Sequence, residues 1–427
     1  MLRKFIILSI IVIFCSLALP GLYAEGDMER LLSLESPPVK EEPWVFDRFP
    51  IVAWWGPPGS SQPEDFENYK DAGFTLYAAN PDTGYERSIK LAGDQGLKIL
   101  SFRTTQGFGL PAKKVEYDEK DDRIVGWITH DEPGPPSDVI RSITETNELM
   151  RKHPSKRAFF NFLPPHAQPE PGTKKVVEIA LKNGLPIISY DNYNMIDDGT
   201  TRERQHFRNL ELFRSLSLEH DAPLWAFALT IKHAYYRRPS ESDIRWKQFT
   251  NLAYGAKGLW YFTYWGPTNW DRWDNKAIID PKDGSKTEIY DYVSKINYAV
   301  LGAEETLLNM TSVDVVHTSP TVECRPFTGD RWISDIRAKK AMIGYFRDEK
   351  GSDYALVVNC LHGPGKTAAE TADEIDLRFA PDVKTVEAIM WLDGETGPLP
   401  LKNGRVILNI TGGTGVLLKP VSHPGKY

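Results

Sequence analysis

From Phe49 onward the chain alternates strand-like apolar runs with helix-like segments, and it does so eight times. The candidate strands are Ile51–Trp55, Phe74–Ala78, Lys98–Phe102, Ile124–Ile128, Ala158–Phe162, Pro186–Tyr190, Leu224–Leu229 and Gly258–Tyr264. Their starts lie roughly thirty residues apart, the size of a βα unit. A doubly wound open sheet shares this local pattern, but a count of eight over about 250 residues favours a closed (β/α)8 barrel. Helix ends support the parsing. Ser61-Gln62-Pro63-Glu64 reads as a capping box with proline in the first turn, closed by Gly73. Ser240 to Asp243 opens another helix, whose Ile244, Phe249 and Leu252 precede Gly255.

A last helix is expected over Thr287–Leu308, after which the texture changes. Met342–Phe346, Tyr354–Asn359, Val386–Trp391 and Val406–Ile410 are β-rich runs broken by Asp393-Gly394 and Gly412-Gly413. Gly412-Gly413-Thr414-Gly415 lacks the lysine and the strand-to-helix setting of a phosphate loop and reads as a β turn. The expected division is a signal peptide over 1–24, a leader over 25–47, a catalytic TIM barrel over 48–310, and an all-β, sandwich-like domain over 311–427.

The N-terminus reads as an export signal. Arg3 and Lys4 precede the apolar run Phe5–Leu19, and Leu22-Tyr23-Ala24 offers a cleavage site. A secreted, periplasmic or cell-surface location follows, with an uncleaved anchor or a lipid on Cys15 as alternatives. Removing the signal shifts the formal charge from −7 to −9, a balance that argues against nucleic acid as a partner. No membrane contact is expected after processing, and the oligomeric state is not encoded. Cys324 and Cys360 would then remain, enough for one disulfide but not for a cysteine-rich metal framework.

The strongest chemical signal is Gly126-Trp127-Ile128-Thr129-His130-Asp131-Glu132-Pro133, a short apolar strand ending in two adjacent carboxylates and a proline turn. In a barrel the strand exits converge on one face. That face would receive Trp54 and Trp55 from the first strand, His130, Asp131 and Glu132 from the fourth, and Asn161 from the fifth. The sixth would add Tyr190, Asp191 and Tyr193, the seventh Lys232 and His233, and the eighth Tyr264 and Trp265, with Trp270 and Trp273 following. Neighbours on a strand face opposite ways, so at most one of Trp54 and Trp55 should point into the site. A few acids among many rings suits a carbohydrate: flat rings pack on sugar faces, and acids protonate glycosidic oxygens. His130, Asp131, Glu132, Asp191 and His233 are all metal-ligand types, but no tight spacing supports a metal, and no cofactor is expected.

The run ending Asp131-Glu132-Pro133 resembles the fourth-strand motif of (β/α)8 glycoside hydrolases, usually Asn-Glu-Pro. Arg245-Trp246 through Asn251-Leu252-Ala253-Tyr254-Gly255-Ala256-Lys257-Gly258, ending Tyr261-Phe262-Thr263-Tyr264-Trp265, is similar to their seventh-helix and eighth-strand region. The resemblance implies an exported glycoside hydrolase acting on an oligo- or polysaccharide, with Glu132 as general acid/base. It also implies a nucleophilic Glu at the end of the seventh strand, and Leu224–Thr230 contains none. Two routes remain. Asp191 could be the second carboxylate. Otherwise Asp131 and Glu132 act together on a 2-acetamido sugar, as in the family 20 and family 123 hexosaminidases whose Asp-Glu pair this one resembles. By that analogy Tyr190 or Tyr193 would bind the acetamide oxygen and Trp265 would line its pocket. The alternatives are a sugar-binding protein on a degenerate barrel, and a polysaccharide lyase using Tyr193 as base with Arg237 nearby.

Overall fold

The computed structural model describes residues 25–35, 46–79, 84–102, 121–168, 171–267, 274–321 and 324–421. Within the leader, α1 (Glu25–Leu32) is a helix that buries Leu31 completely and packs on α4, Pro136–Lys152. The barrel strands are β1 (Ile51–Ala53), β2 (Leu76–Ala78), β3 (Lys98–Phe102), β4 (Ile124–Asp131), β5 (Arg157–Phe162), β6 (Ile188–Tyr190), β7 (Leu224–Leu229) and β8 (Gly258–Phe262). They form one parallel sheet in the order β1-β8-β7-β6-β5-β4-β3-β2. At the remaining seam the Thr75 amide donates to the Ile51 carbonyl at 3.0 Å, so the barrel is nearly closed.

The outer layer comprises α2 (Pro63–Asp71), α3 (Tyr85–Asp94), α4, α5 (Thr173–Lys182), α6 (Glu203–His220), α7 (Glu241–Ala253) and α8 (Glu288–Gly302). Gln62 caps α2, its amide donating to Asp65 Oδ2 at 2.8 Å, and Gly73 leaves the helix in the left-handed region. Instead of one helix over Thr287–Leu308, α8 stops at Ala303 and a short α9 (Glu304–Asn309) follows. The interior of the barrel is aromatic. Phe227 and Trp260 stack at 5.0 Å, with Trp54 edge-on to Trp260 at 5.4 Å and to Phe102 at 4.7 Å. Gly258 makes room for this layer, since a Cβ there would fall 2.6 Å from the Trp225 ring.

The C-terminal strands are β9 (Met310–His317), β10 (Arg325–Pro326), β11 (Ile333–Arg337), β12 (Ala341–Asp348), β13 (Asp353–Asn359), β14 (Asp373–Phe379), β15 (Thr385–Trp391), β16 (Gly397–Leu399), β17 (Arg405–Ile410) and β18 (Gly415–Val421). They pair as a seven-stranded sheet, β10-β9-β12-β13-β18-β15-β16, and a three-stranded sheet, β11-β14-β17. Ile343, Val357, Ile375, Leu377, Leu408 and Leu418 belong to one core cluster shared by the two sheets, as in a sandwich. Cys324 and Cys360 are both free thiols.

Helix α7 joins the two parts. It packs on β7 to one side and on β12 and β13 to the other, and every residue from Ser242 to Ala253 is buried. Its polar side chains therefore need protein partners. Arg245 pairs with Glu241 and with Asp393 of the β domain, and Gln248 Nε2 donates to the Trp260 carbonyl at 3.0 Å. The Gly412–Gly415 turn seats against the start of α7. A Cβ on Gly413, whose φ is +71°, would meet Ser242 O at 2.3 Å.

Candidate active site

The fourth strand does not end regularly. Ile128 pairs with Phe159 and Asp131 with Asn161, so β4 advances three residues while β5 advances two. This bulge re-aims the strand exit. His130 turns toward the helix layer, where its Nδ1–H donates to the Asp131 carbonyl at 2.8 Å and its Nε2 accepts from Arg141 of α4 at 3.2 Å. It is thus kept out of the site expected for it. Asp131 faces Asn161 of β5 instead.

Glu132 adopts φ +48°, the left-handed region a non-glycine residue rarely occupies. Its amide donates to the Asn161 carbonyl at 2.9 Å, which pins the turn. Strain of this kind persists where surrounding contacts over-determine it. The side chain keeps a solvent-accessible face although protein surrounds it elsewhere, the situation of a group on the floor of a bowl.

Asn161 organises the acids. Ser189 Oγ donates to Asn161 Oδ1 at 2.9 Å, which leaves the Nδ2 protons to donate to Asp191 Oδ1 at 2.9 Å and Asp131 Oδ1 at 3.3 Å. Glu132 and Asp191 are themselves hydrogen-bonded, carboxyl to carboxyl. Burial and the neighbouring charges of Asp191 and Asp131 push Glu132 well above the usual carboxylate range. Asp131 is raised by burial first and by Asp191 second. Burial also raises Asp191, but the hydrogen bonds from Glu132 and Asn161 and the charge of Lys247 work against that rise. Glu132 therefore carries the proton, and Asp191 is the best-supported anion of the three.

Tyr193 completes the group. Burial raises its hydroxyl well above normal, with Asp191, Glu132 and Asp131 all adding to the shift. Its ring lies 5.7 Å from Phe262, 5.9 Å from His233 and 5.6 Å from Tyr236, and Trp55 is 6.3 Å from Phe262. These rings form an aromatic wall beside the acids. Burial lowers the His233 imidazole to about 4, so it is neutral at ordinary pH.

Several expected members lie elsewhere. Tyr190 points outward and stacks on Phe213 of α6 at 3.8 Å. Tyr264 packs edge-on to Tyr69 of α2 at 4.8 Å, also outside the barrel. Trp54 belongs to the barrel core, and the Trp265 ring reaches toward Gly284 rather than the acids. Arg237, expected beside the base of a lyase, is buried in a two-pronged ion pair with Asp243 and is not free to grip a substrate. Trp270 and Trp273 lie outside the described residues. Among the described residues no group of three or more His, Cys, Asp or Glu side chains is arranged to hold a metal ion. Tyr236 stands in the run Tyr235-Tyr236-Arg237-Arg238 after the seventh strand, which reads from sequence as a loop able to grip a hydroxyl-rich substrate or as a solvated one. Phe262 and Lys247 are not singled out by the sequence as site residues: for Phe262 the signal is strand-exit position, and for Lys247 there is none.

No family model and no curated protein matches the chain. Solved structures do. The β-galactosidase from Bacillus circulans sp. alkalophilus is similar at 10% identity and a TM-score of 0.57, over 88% of this chain and 99% of that one. A GH27 β-L-arabinopyranosidase from Geobacillus stearothermophilus gives 8% identity and 0.47, over 89% and 98%. The β-galactosidase from the psychrophilic Marinomonas ef1 gives 13% and 0.45, over 60% of each chain. The Bacillus likeness shows that this chain has the fold of a TIM barrel followed by a β domain.

Proposed function

We propose that this protein is a glycoside hydrolase in which Glu132 is the general acid. The observation that carries the reading is the carboxyl-to-carboxyl contact of Glu132 with Asp191 at the β4 exit, on a floor walled by Tyr193 and Phe262. A carboxyl that keeps its proton above the usual carboxylate range is what a leaving glycosidic oxygen requires. The likeness in fold to a β-galactosidase agrees with this reading.

The same contact bears on the second carboxylate. Acid and nucleophile in a retaining pair stand about 5–5.5 Å apart, and an inverting pair stands wider. The hydrogen bond between Glu132 and Asp191 leaves no room for a sugar ring between them, which favours Asp191 as the anion that holds the Glu132 proton. The displacing group then comes from the substrate. On a 2-acetamido sugar the acetamide oxygen attacks the anomeric carbon as Glu132 protonates the departing oxygen, and Asp131 accepts the acetamide N–H. The Tyr193 hydroxyl donates to the acetamide oxygen. Export through the N-terminal signal fits a polysaccharide substrate outside the cytoplasm.

The test is a screen of aryl glycosides with and without a 2-acetamido group. Turnover confined to acetamido sugars, abolished by Asp131→Asn, is the expected result. Good turnover of plain hexosides, lost on Asp191→Asn, overturns substrate assistance. Glu132→Gln separates an enzyme from a sugar binder: rate should fall by about 10²–10⁴ with binding retained.

A further inference from the structure

Lys247 places an ammonium where a barrel helix has no structural need of one. It lies on α7, almost wholly buried, with Nζ 2.9 Å from His206 Nδ1 and 3.5 Å from Asn194 Oδ1. The direction of the first bond is fixed by its neighbours. Thr250 Oγ1 spends its single proton on the carbonyl of Trp246 at 2.8 Å or Lys247 at 3.0 Å. It must therefore accept from His206 Nε2–H at 2.8 Å. Neutral His206 then offers only a lone pair at Nδ1, so Lys247 donates. His206 is held neutral by burial first and by the charges of Lys247 and His362.

A second observation lies between Lys247 and the active site. A cavity of about 10 Å³, bounded by Asn192, Tyr193, Asn194, Met195, Leu229 and Lys247, sits directly behind the segment that follows Asp191. That is about the space one water molecule occupies. Both amide atoms of Asn192 and Nδ2 of Asn194 are buried there without a protein hydrogen-bond partner, in residues 1% and 2% exposed. Polar atoms so placed call for a bridging water.

We infer that Lys247 is a positioning residue of the catalytic site: from behind the β6 exit, across this polar chamber, its ammonium holds Asp191 as the ionised member of the carboxylate trio. The inference rests on the proposed role of Asp191 beside Glu132. The groups facing Lys247 are His206 from α6 and Asp191 and Asn194 from the β6 loop, with His362 and His317 beyond His206. Those facing Asp191 are Glu132 and Asp131 from β4, Asn161 from β5, and Tyr190, Tyr193, Tyr236 and Lys247. Among the described residues facing Asp191, Lys247 is the cation. Burial lowers it to about 7, and Asp191 resists that fall. Loss of the Asp191 charge should accordingly make Lys247 easier to deprotonate, and loss of the Lys247 charge should make Asp191 harder to ionise.

The experiment uses the full chain carrying 13Cε-lysine, titrated by NMR, with the Lys247 resonance assigned by its loss in Lys247→Arg. The expected result is a titration far below the ordinary lysine range that moves lower still in Asp191→Asn. An unchanged Lys247 titration in Asp191→Asn overturns the inference. This arm needs no turnover, so it decides the coupling even if the glycosidase reading fails. With an aryl glycoside that the wild type cleaves, the acid limb of kcat/KM in Lys247→Met should move up by about one pH unit. Lys247→Arg should keep the limb near its wild-type position. A lower rate at every pH with an unmoved limb would mark Lys247 as merely structural. If Lys247→Met does not fold, the lysine titration in Asp191→Asn is sufficient by itself to uphold or overturn the coupling.

Discussion

Asn161 Nδ2 lies 2.9 Å from Asp191 Oδ1, and this bond fixes which acid of the site carries charge. With Ser189 holding the amide oxygen, Asn161 can only donate to the acids. Asn161→Asp reverses that arrangement by adding a fourth carboxyl to a cluster already crowded with them. The rate should fall by about 10² or more, and the acid limb of the pH–rate profile should move to higher pH. Asn161→Ala should lower stability by about 1–3 kcal/mol, because buried acceptors lose their donor. Denaturant melts and a pH–rate series on both variants check this.

Glu132 and Asp131 should be a liability to the fold. Both are raised in the folded state, so each ionises in the unfolded chain at a pH where the folded chain still keeps its proton. Stability is fully present below the unfolded values and falls as pH rises toward the folded ones. Glu132→Gln should therefore raise the Tm more at pH 7 than at pH 4, by an amount that solvent screening at the exposed face of the side chain keeps small. Equal gains at both pH values would show that the carboxyl is not strained by its surroundings. Calorimetry of wild type and variant at the two pH values decides it.

Tyr193→Phe removes a hydroxyl that faces Asp131, Glu132 and Asp191 together. The ring contacts with Phe262, His233 and Tyr236 remain. The Tm should hold within about 2 °C, while turnover of a 2-acetamido substrate falls by about 10²–10³, the usual effect of losing one transition-state donor. A loss confined to KM would assign the hydroxyl to ground-state binding instead.

Trp54 separates core from site. Its ring is enclosed by Phe102, Phe227 and Trp260, so Trp54→Ala should destabilise the barrel by about 3–5 kcal/mol. Trp54→Phe, which keeps part of the aromatic layer, should leave KM unchanged. A raised KM in a well-folded Trp54→Phe would return the ring to the binding surface.

The barrel was legible because strand alternation and turn chemistry repeat eight times, and all eight expected strands occur with small changes at their ends. The acid trio was legible for the same reason: Asp131, Glu132 and Asp191 stand at strand exits. What sequence did not show was direction. Alternation along β6 puts Ser189 and Asp191 inward and Tyr190 outward. Tyr264 shares the inward parity of Trp260 and Phe262 and yet packs outside on Tyr69, whereas Tyr190 could have been set aside on alternation alone. His130 could not, because a bulge between Ile128 and Asp131 breaks the period that would have oriented it. Lys247 and Arg237 read as ordinary polar residues of a surface helix and loop. Lys247 is buried against His206 of α6 and the β6 loop, and Arg237 against Asp243 of α7, long-range contacts without a local pattern.

The seam between α7 and the β domain is pH-sensitive. His362 of the β domain stacks on Trp246 at 4.2 Å, and its Nδ1 lies 2.7 Å from Asp243 Oδ1 and its Nε2 3.7 Å from Glu203 Oε1. Burial opposes its charge, but the two carboxylates outweigh burial and raise the imidazole above its usual value. The same pairing lowers Asp243 and Glu203 to about 2. A raised histidine contributes stability that is complete below about pH 6.5 and is lost as pH rises through the folded value. His206 and His317, held neutral nearby, act in the opposite sense, so the useful quantity is the difference between wild type and His362→Gln. That difference in unfolding free energy should be largest near pH 5.5 and shrink steadily above pH 7. At the acid end it should fall again as Asp243 and Glu203 take up protons between about pH 4 and 2. A difference that grows from pH 6 to pH 8 would mean that His362 is held neutral in the fold, and that the seam is closed by packing on Trp246 rather than by charge.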